Sequence, residues 1–228
     1  MSLVKLDKLS SFRVSNAPCT VYYIPDFINE EEENGLLNEI NGAPKPKWEV
    51  LKNRRLMNYG GIVGKKALFA VDDFPPLLRR LMMAVNQYIE KPLNHALINE
   101  YTPGQGIMPH TDGPAFLPVI TTVTLGSHTV LDLYSPIDPE IVSSESNRRL
   151  GGLLLERRSL VIITDDVYSN MIHGINERIE DIIDDTIWNG NRMKGQIIQR
   201  DTRVSLTLRT VDKVSTRLIS SLLGSNQP

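Results

Sequence analysis

The chain has 228 residues, of which 41% are hydrophobic and 23% charged, a composition typical of a globular protein. Its formal net charge is only −2, so any attraction to nucleic acid or to an anionic membrane has to come from local patches. The single cysteine, Cys19, excludes an intrachain disulfide framework and a cysteine-based zinc site. No apolar run approaches the roughly 20 residues that span a bilayer. We expect a monomer without membrane attachment, located in the cytoplasm, the nucleus or both.

The first 92 residues predict an N-terminal extension that mixes helices with short strands. A β-rich run at residues 20–24 precedes a helix whose N-cap is expected at Asn29, with Glu32 as its partner in a capping box. A second helix is expected to open at Pro76, because apolar residues follow it at three- and four-residue spacing. Pro92 is expected to close that helix, since proline cannot continue one.

Residues 44–66, the basic segment, lie between these two helices. They hold seven lysines and arginines against one acid, Glu49, with two aromatic residues interleaved. This composition fits contacts to a nucleic acid backbone combined with stacking on bases. It fits a solvated basic face above two core aromatics equally well. The candidate substrate-binding residues are Lys52, Arg54, Arg55, Trp48 and Tyr59.

From residue 93 onward the apolar residues alternate with polar ones, as in β-strands. Several short strands separated by turn signals favour a β-sandwich or jelly roll, so we predict an α+β fold with the N-terminal helices packed on the sheet. Residues 93–212 would form its core, as one structural domain with the preceding part, and residues 213–228 a C-terminal tail. The predicted strands are residues 96–101, 120–125, 129–134, 153–155, 159–164 and 203–209.

Two polar segments interrupt the strands. Residues 135–149 are rich in proline and serine and are predicted to be mobile. Residues 176–201, the insertion, begin with five acids and continue with three bases. With few apolar residues to offset its ordering entropy, the insertion is expected to be mobile without substrate. Its middle is expected to form a short helix held by Ile179, Ile182, Ile183 and Trp188.

The pair His110 and Asp112 is the first chemical signal. On a strand, residues two apart point to one face, so an imidazole and a carboxylate would reach the same metal ion. Among the other histidines, His173 is the best third ligand because it follows an apolar strand and a short polar segment. His95 and His128 are interpreted as structural or surface histidines. Two histidines and one carboxylate form the facial triad of non-haem Fe(II) oxygenases; a hydrogen-bonded histidine beside a turn-forming aspartate is the alternative.

Residues 203–209 alternate strictly, which places Arg203, Ser205 and Arg209 on one face of a strand. A dicarboxylate ligand needs a guanidinium, because its planar fork pairs with both carboxylate oxygens. Arg209 lies roughly 20 Å from Arg203 along an extended strand, too far to hold the same carboxylate. Asn99 and Tyr101 share a face of their own strand and offer further donors. The alternative is an ordinary strand with its polar side toward solvent.

These residues occur in a recognisable order. The chain reads Asn99-Glu100-Tyr101, His110-Thr111-Asp112, Leu125-Gly126-Ser127, His173-Gly174 and finally Arg203 to Arg209 with Ser205 between them. The set resembles the AlkB-like dioxygenases, which depend on Fe(II) and 2-oxoglutarate. Residues 41–48 and 125–132 look like the branch called AlkB homologue 6. The resemblance covers residues 22–209.

The resemblance implies a double-stranded β-helix core, with Fe(II) bound by His110, Asp112 and His173. It implies contacts to 2-oxoglutarate from Asn99, Tyr101, Arg203 and Ser205, support from Arg209, and dioxygen as the second cosubstrate. Oxidative N-demethylation of a base in RNA or DNA is the activity that it favours. The alternatives are oxidation of a protein side chain, or a nucleic-acid-binding or interaction protein with little catalysis. The insertion makes the stretch from His173 to Arg203 longer than in the family's shorter members, which bears on the substrate entrance.

Overall fold

The computed structural model describes residues 2–18, 20–65, 67–136 and 145–215. Cys19, most of the polar segment at residues 135–149 and all but the first residues of the predicted tail therefore lie outside the described residues. The helices are α1 (Leu6–Leu9), α2 (Glu30–Asn41), α3 (Pro76–Val85), α4 (Glu145–Arg148) and α5 (Asp165–Asn170). Short 3₁₀ turns occupy Ser10–Phe12, Lys45–Lys47 and Asn191–Met193.

The strands follow the alternating segments of the sequence. In chain order they are β1 (Val21–Ile24), β2 (Glu49–Leu51), β3 (Arg54–Tyr59), β4 (Gly61–Val63), β5 (Leu68–Ala70), β6 (His95–Tyr101), β7 (Ile107–His110), β8 (Val119–Leu125), β9 (Thr129–Tyr134), β10 (Arg149–Leu155), β11 (Leu160–Thr164), β12 (Ile172–Ile175), β13 (Glu180–Ile182), β14 (Ile197–Gln199), β15 (Arg203–Arg209) and β16 (Val214–Ser215). All six strands predicted after residue 93 are present, with bounds that differ by at most a few residues.

Two antiparallel sheets form the core. The major sheet has the strand order β1-β11-β8-β15-β6-β3-β2, and the minor sheet has the order β10-β9-β12-β7. The two sheets face each other across an apolar layer, so the predicted jelly roll with a double-stranded β-helix core is confirmed. Three strands of the N-terminal extension, β1, β2 and β3, lie at the edges of the major sheet. The extension is thus built into the same sheet as the core.

The two long helices cover the outer face of the major sheet. The predicted capping box at the start of α2 is confirmed, with reciprocal 2.9 Å hydrogen bonds between Asn29 and Glu32. The predicted end of α3 near Pro92 is wrong, because the helix ends at Val85. Beyond it the chain pairs with the N-terminal segment through a bridge between Val4 and Ile89. The apolar residues after α3 are therefore buried by that pairing rather than by a longer helix.

Strand β15 lies in the middle of the major sheet, and all seven of its residues are buried. Its apolar side chains, Val204, Leu206 and Leu208, pack with the helices in one core cluster. Its polar side chains point into the space between the sheets, so the alternative of a solvent-facing polar side is wrong. A buried strand of this kind can carry polar residues only if a ligand or protein groups satisfy them.

The insertion folds onto the outer face of the minor sheet as the hairpin β13–β14. The predicted short helix around residues 179–188 is wrong, because Glu180–Ile182 form a strand and the helical turn described in this segment is the 3₁₀ turn at Asn191–Met193. Ile183 is buried against the minor sheet, and Trp188 is partly buried in the inter-sheet core, whereas Ile179 and Ile182 are 60% and 56% exposed. The hairpin forms because Asp181, fully buried, finds a bidentate partner in Arg200 at 2.6 and 2.8 Å.

The remaining polar segment and the tail are described only in part. The backbone N–H of Ser135 donates to the carbonyl oxygen of Arg148 at 2.9 Å, and this bond joins the two described ends of the polar segment. The first tail residues form β16, which pairs in parallel with β5. In the ranges described, no helix combines the length and apolar character needed to cross a bilayer.

Candidate active site

A cavity of about 300 Å³ lies between the two sheets. Its walls carry three arginine side chains, Arg54, Arg203 and Arg209, against one carboxylate, Asp112. Apolar side chains of both sheets line the rest. With an excess of positive charge in a partly enclosed space, the cavity attracts anions and suits a dicarboxylate better than a neutral ligand.

The two candidate histidine ligands meet at one end of this cavity. His110 ends β7, His173 lies on β12, and the two residues are directly paired across the strands with their ring centroids 4.6 Å apart. Asp112 lies two residues beyond the end of β7, so the expectation that it shares a strand face with His110 is wrong. The chain turn after β7 directs its carboxylate inward instead, to within 3.1 Å of the Arg209 guanidinium.

The donor chemistry of this end fits a divalent metal ion. His110 Nδ1 lies 2.8 Å from the carbonyl oxygen of Met108, a contact that requires Nδ1 to donate and leaves the Nε2 lone pair available. Burial lowers the pKa of His173 to about 4, so its imidazole is neutral at physiological pH. Asp112 Oδ2 is buried and has no hydrogen-bond partner among the described residues. Two imidazoles and a carboxylate are the donors of the Fe(II) facial triad.

The side chains of His110, Asp112 and His173 do not converge on one metal position. Within the described ranges, no three histidine, cysteine, aspartate or glutamate side chains converge closely enough to hold one ion. The Asp112 carboxylate pairs with the Arg209 guanidinium at 3.1 Å. The residue types fit the metal, and His110, Asp112 and His173 are the residues that would hold it.

The predicted dicarboxylate contacts form the other end of the cavity as two cross-strand pairs. Arg203 is opposite Tyr101, and Ser205 is opposite Asn99, on β15 and β6. Arg203 is only 4% exposed, and its Nη2 donates to Thr124 Oγ1 at 3.0 Å. Its Nε and Nη1 are buried without a partner in the described part of the chain. Burial lowers the pKa of Arg203 to about 10, so the guanidinium stays charged and offers two free donors to a carboxylate.

Arg209 lies at the end of the cavity that carries the candidate metal ligands, called the metal end from here on. This agrees with its predicted distance from Arg203 along the strand. Its guanidinium pairs with Asp112 and lies 4.5 Å from the centre of the Phe116 ring. Burial lowers the pKa of Arg209, and the neighbouring Asp112 opposes that shift. The position and partner of Arg209 agree with a supporting role.

Comparison with known proteins identifies the family. A zebrafish protein (Danio rerio) named probable RNA/DNA demethylase ALKBH6 is 44% identical over 90% of this chain and 92% of its own length. The chain belongs to the AlkB-like Fe(II)- and 2-oxoglutarate-dependent dioxygenases. Like the rest of that family, it is an oxidoreductase that uses Fe(II), 2-oxoglutarate and dioxygen.

Other relatives of this AlkB-like dioxygenase are more distant. An uncharacterised protein of Acanthamoeba polyphaga mimivirus is 31% identical over 83% of this chain and 84% of its own length. The solved structure of OsALKBH1 shares the fold with a TM-score of 0.56 at 14% identity, covering 84% of this chain and 98% of that one. A 2OG-Fe(II) oxygenase from Burkholderia pseudomallei gives 0.52 at 8% identity, covering 86% and 89%. No protein-family profile matches the chain.

The structure divides the basic segment of this AlkB-like dioxygenase between different environments. Arg55 pairs with both carboxylate oxygens of Glu100, at 2.7 and 2.6 Å, and its guanidinium lies 4.1 Å from the Trp48 ring centre. Tyr59 is 4% exposed and belongs to the core, with the Lys47 ammonium over its ring. Protein groups already contact Arg55, Trp48 and Tyr59, which favours structural roles for them, and their substrate roles stay predictions.

Arg54 is the predicted substrate residue that contacts a predicted cosubstrate residue. It lines the cavity between the sheets, and its Nε donates to Asn99 Oδ1 at 3.1 Å. Nothing local in the sequence indicates this contact. It depends on the pairing of β3 with β6, in which Leu56 lies opposite Asn99.

A second opening, the outer cleft, adjoins the metal end. It has a volume of about 410 Å³ and is lined by residues 51–54 and 106–110. Lys52 is exposed at the turn between β2 and β3, and Met108 is exposed on β7. Arg54 and His110 line both the cleft and the cavity. A side-chain hydrogen bond from Asn53 to Glu177 joins the β2–β3 turn to the insertion.

The two remaining histidines have the structural roles expected of them. His95 is buried beside Phe116, with ring centroids 5.6 Å apart, and burial lowers its pKa to about 4. His128 lies 3.3 Å from the buried carboxylate of Asp181 and contributes to the anchor of the insertion. Neither residue lines the cavity between the sheets.

Proposed function

We propose that this dioxygenase removes methyl groups oxidatively from base nitrogens in RNA or DNA. The observation that carries the proposal is the outer cleft, which opens at His110 and has the exposed cation Lys52 in its wall. A flipped or unpaired base in this cleft would reach the metal end, with the phosphate backbone on the cationic rim. The name of the zebrafish relative supports the same substrate class.

In this proposal His110, Asp112 and His173 hold the Fe(II). Asn99, Tyr101, Arg203 and Ser205 hold 2-oxoglutarate, and Arg209 fixes Asp112. When bound, the iron, with 2-oxoglutarate and dioxygen, supplies the oxidation of a methyl C–H bond, after which the hydroxylated methyl group leaves the nitrogen as formaldehyde.

The chain's own contribution is orientation and exclusion of water. Arg203 presents two buried donors in one plane, so a distal carboxylate binds it in a single orientation. Apolar side chains of the facing sheets, among them Leu131 and Leu155, line the cavity and keep water from the reacting groups. The only wall shared with the cleft lies at Arg54, Ile107 and His110, so substrate approaches from that side.

Three exposed lysines of the basic segment remain available for phosphate contacts: Lys45, Lys52 and Lys65. Lys47 and Arg55 are paired with Asp73 and Glu100, acids that are distant in sequence. The basic segment therefore offers fewer unpaired cations than its composition indicates, and its phosphate contacts should number three or fewer.

The test is fluorescence anisotropy of labelled single-stranded RNA and DNA over a salt series. Each phosphate contact gives a log–log salt slope of about −0.7 for single strands, so changing the three exposed lysines to alanine should reduce the slope by up to roughly 2. Alanines at Lys8, Lys91 and Lys213, which remove the same charge outside the segment, serve as the control. An unchanged slope in the first variant would reject the rim.

Activity is followed separately by mass-resolved loss of methyl groups from RNA, DNA and peptides. Demethylated bases support the proposal, and oxidised peptides with unaltered nucleic acid would favour a protein side chain as substrate. Succinate release without added substrate reports the cofactor chemistry alone. Absence of both succinate and demethylated product with iron and 2-oxoglutarate present would contradict the proposal and favour the alternative of an interaction protein.

A further inference from the structure

Arg54 connects the β2–β3 hairpin to the centre of the cosubstrate site. It is the first residue of β3, and its Nε donates to Asn99 Oδ1 at 3.1 Å across the pairing with β6. Asn99 is buried and lies directly opposite Ser205 on β15. All three side chains line the cavity between the sheets.

This contact fixes the orientation of the Asn99 amide. An arginine side chain carries only donors, so the atom it meets on Asn99 has to be the carbonyl oxygen. Without such a partner, the amide could turn by half a rotation and present either its oxygen or its nitrogen to the cavity. With Arg54 on the oxygen, the NH₂ group is the part left for a ligand, and NH₂ is the part that binds a carboxylate.

We propose that Arg54 is a positioning residue for 2-oxoglutarate, acting through Asn99. It holds the amide with its nitrogen toward the cosubstrate carboxylate, and its charge adds to the field of Arg203 and Arg209. The inference rests on the proposed role of Asn99 in cosubstrate binding. It removes Arg54 from the phosphate-binding rim and makes it part of the cosubstrate site.

The adjacent residue, Arg55, provides a matched control. It carries the same charge one position along β3, where alternation turns its side chain to the other face of the sheet. There it pairs with Glu100 and stacks on Trp48. Arg55→Met removes one guanidinium from the same strand without touching Asn99.

The experiment measures the KM for 2-oxoglutarate and kcat in succinate release without nucleic acid, using the iron-loaded full chain. Arg54→Met should raise the KM about tenfold, the value of one charge-assisted hydrogen bond, with kcat changed less than twofold. Arg54→Lys keeps a donor and should recover part of the loss. Arg55→Met should keep the wild-type KM.

Asn99→Ala and the double variant with Arg54→Met distinguish the possible failures. If Arg54 acts through Asn99, the double variant should have a KM close to that of Asn99→Ala alone. Multiplied effects in the double variant would overturn the inference, because Arg54 would then act independently, and so would a wild-type KM in Arg54→Met when Asn99→Ala raises it. An unchanged KM in Asn99→Ala would overturn both the inference and the proposed role of Asn99, while the rest of the site would stand.

Discussion

Replacing Arg203 with methionine should weaken 2-oxoglutarate binding strongly but change the stability of the ligand-free protein little. The side chain is almost completely buried on the central strand β15, with one nitrogen bonded to Thr124 and two without partners among the described residues. Methionine keeps a long, flexible side chain but removes the charge and every donor. The folded protein without cosubstrate loses an uncompensated cation, and the complex loses its bidentate contact.

The structure sets the size of both effects. A hydrogen bond to a charged group contributes about 1.5–3 kcal/mol, and two bonds from one guanidinium are not fully additive, so we expect a loss of about 3 kcal/mol in 2-oxoglutarate binding. That corresponds to roughly 150-fold weaker affinity. Removing an unpaired buried charge is neutral or favourable for folding, whereas the Thr124 hydroxyl loses a bond worth about 1 kcal/mol. The free energy of unfolding without ligand should therefore change little.

The assay is calorimetric titration of 2-oxoglutarate into the Mn(II)-loaded protein, combined with urea unfolding of the ligand-free form. Arg203→Lys should recover only part of the affinity, because an ammonium lacks the planar fork. Wild-type affinity in Arg203→Met would refute the assignment of the cosubstrate site. A loss of several kcal/mol in ligand-free stability would instead show that the guanidinium has a structural role that the unpaired atoms do not indicate.

Three further predictions concern the metal end and the insertion. His173→Ala should lose metal retention, measured after gel filtration, and succinate formation together; retained activity would contradict the ligand set. Burial alone would raise the pKa of Asp181, but the close contact with His128 and the hydrogen bonds from Arg200 outweigh it and lower this pKa to about 2. The ionised Asp181 therefore stabilises the fold fully above pH 3.8, its ordinary pKa, and this stabilisation is lost as pH falls through about 2. Asp181→Asn should make the free energy of unfolding less dependent on pH in this acid range. The same pH dependence in wild type and variant would reject the anchor. The backbone N–H of Ile183 donates to Gln196 at 3.0 Å and should exchange slowly with solvent; rapid exchange would support a mobile insertion.

Features encoded within a few residues were predictable from the sequence. The capping box at Asn29 involves residues three apart, and the alternation of β15 assigns its polar side chains to one face without knowledge of the neighbours. The histidines and the order of the motifs led to the family. In each case the relevant physics, a local hydrogen bond or a strand period, acts along the chain itself.

Features that depend on strand register were not predictable. The sequence cannot show that Arg55 meets Glu100, a residue 45 positions away, and its charge was therefore assigned to a free surface. Asp112 was expected on a strand, although β7 ends before it. The composition of the insertion likewise does not show that Asp181 pairs with Arg200, 19 residues away, which converts two costly charges into one buried ion pair.

The unpaired nitrogens of Arg203 have a consequence for how long the protein survives. A folded state that binds a metabolite, when the unfolded state does not, gains about 2.7 kcal/mol at a ligand concentration of 100 times Kd. Proteases remove the fraction that is transiently unfolded, so a gain of this size lowers the rate of degradation. We expect the abundance of this enzyme to rise and fall with the concentration of 2-oxoglutarate even when the rate of its synthesis is constant. Its lifetime would then depend on the supply of its own cosubstrate.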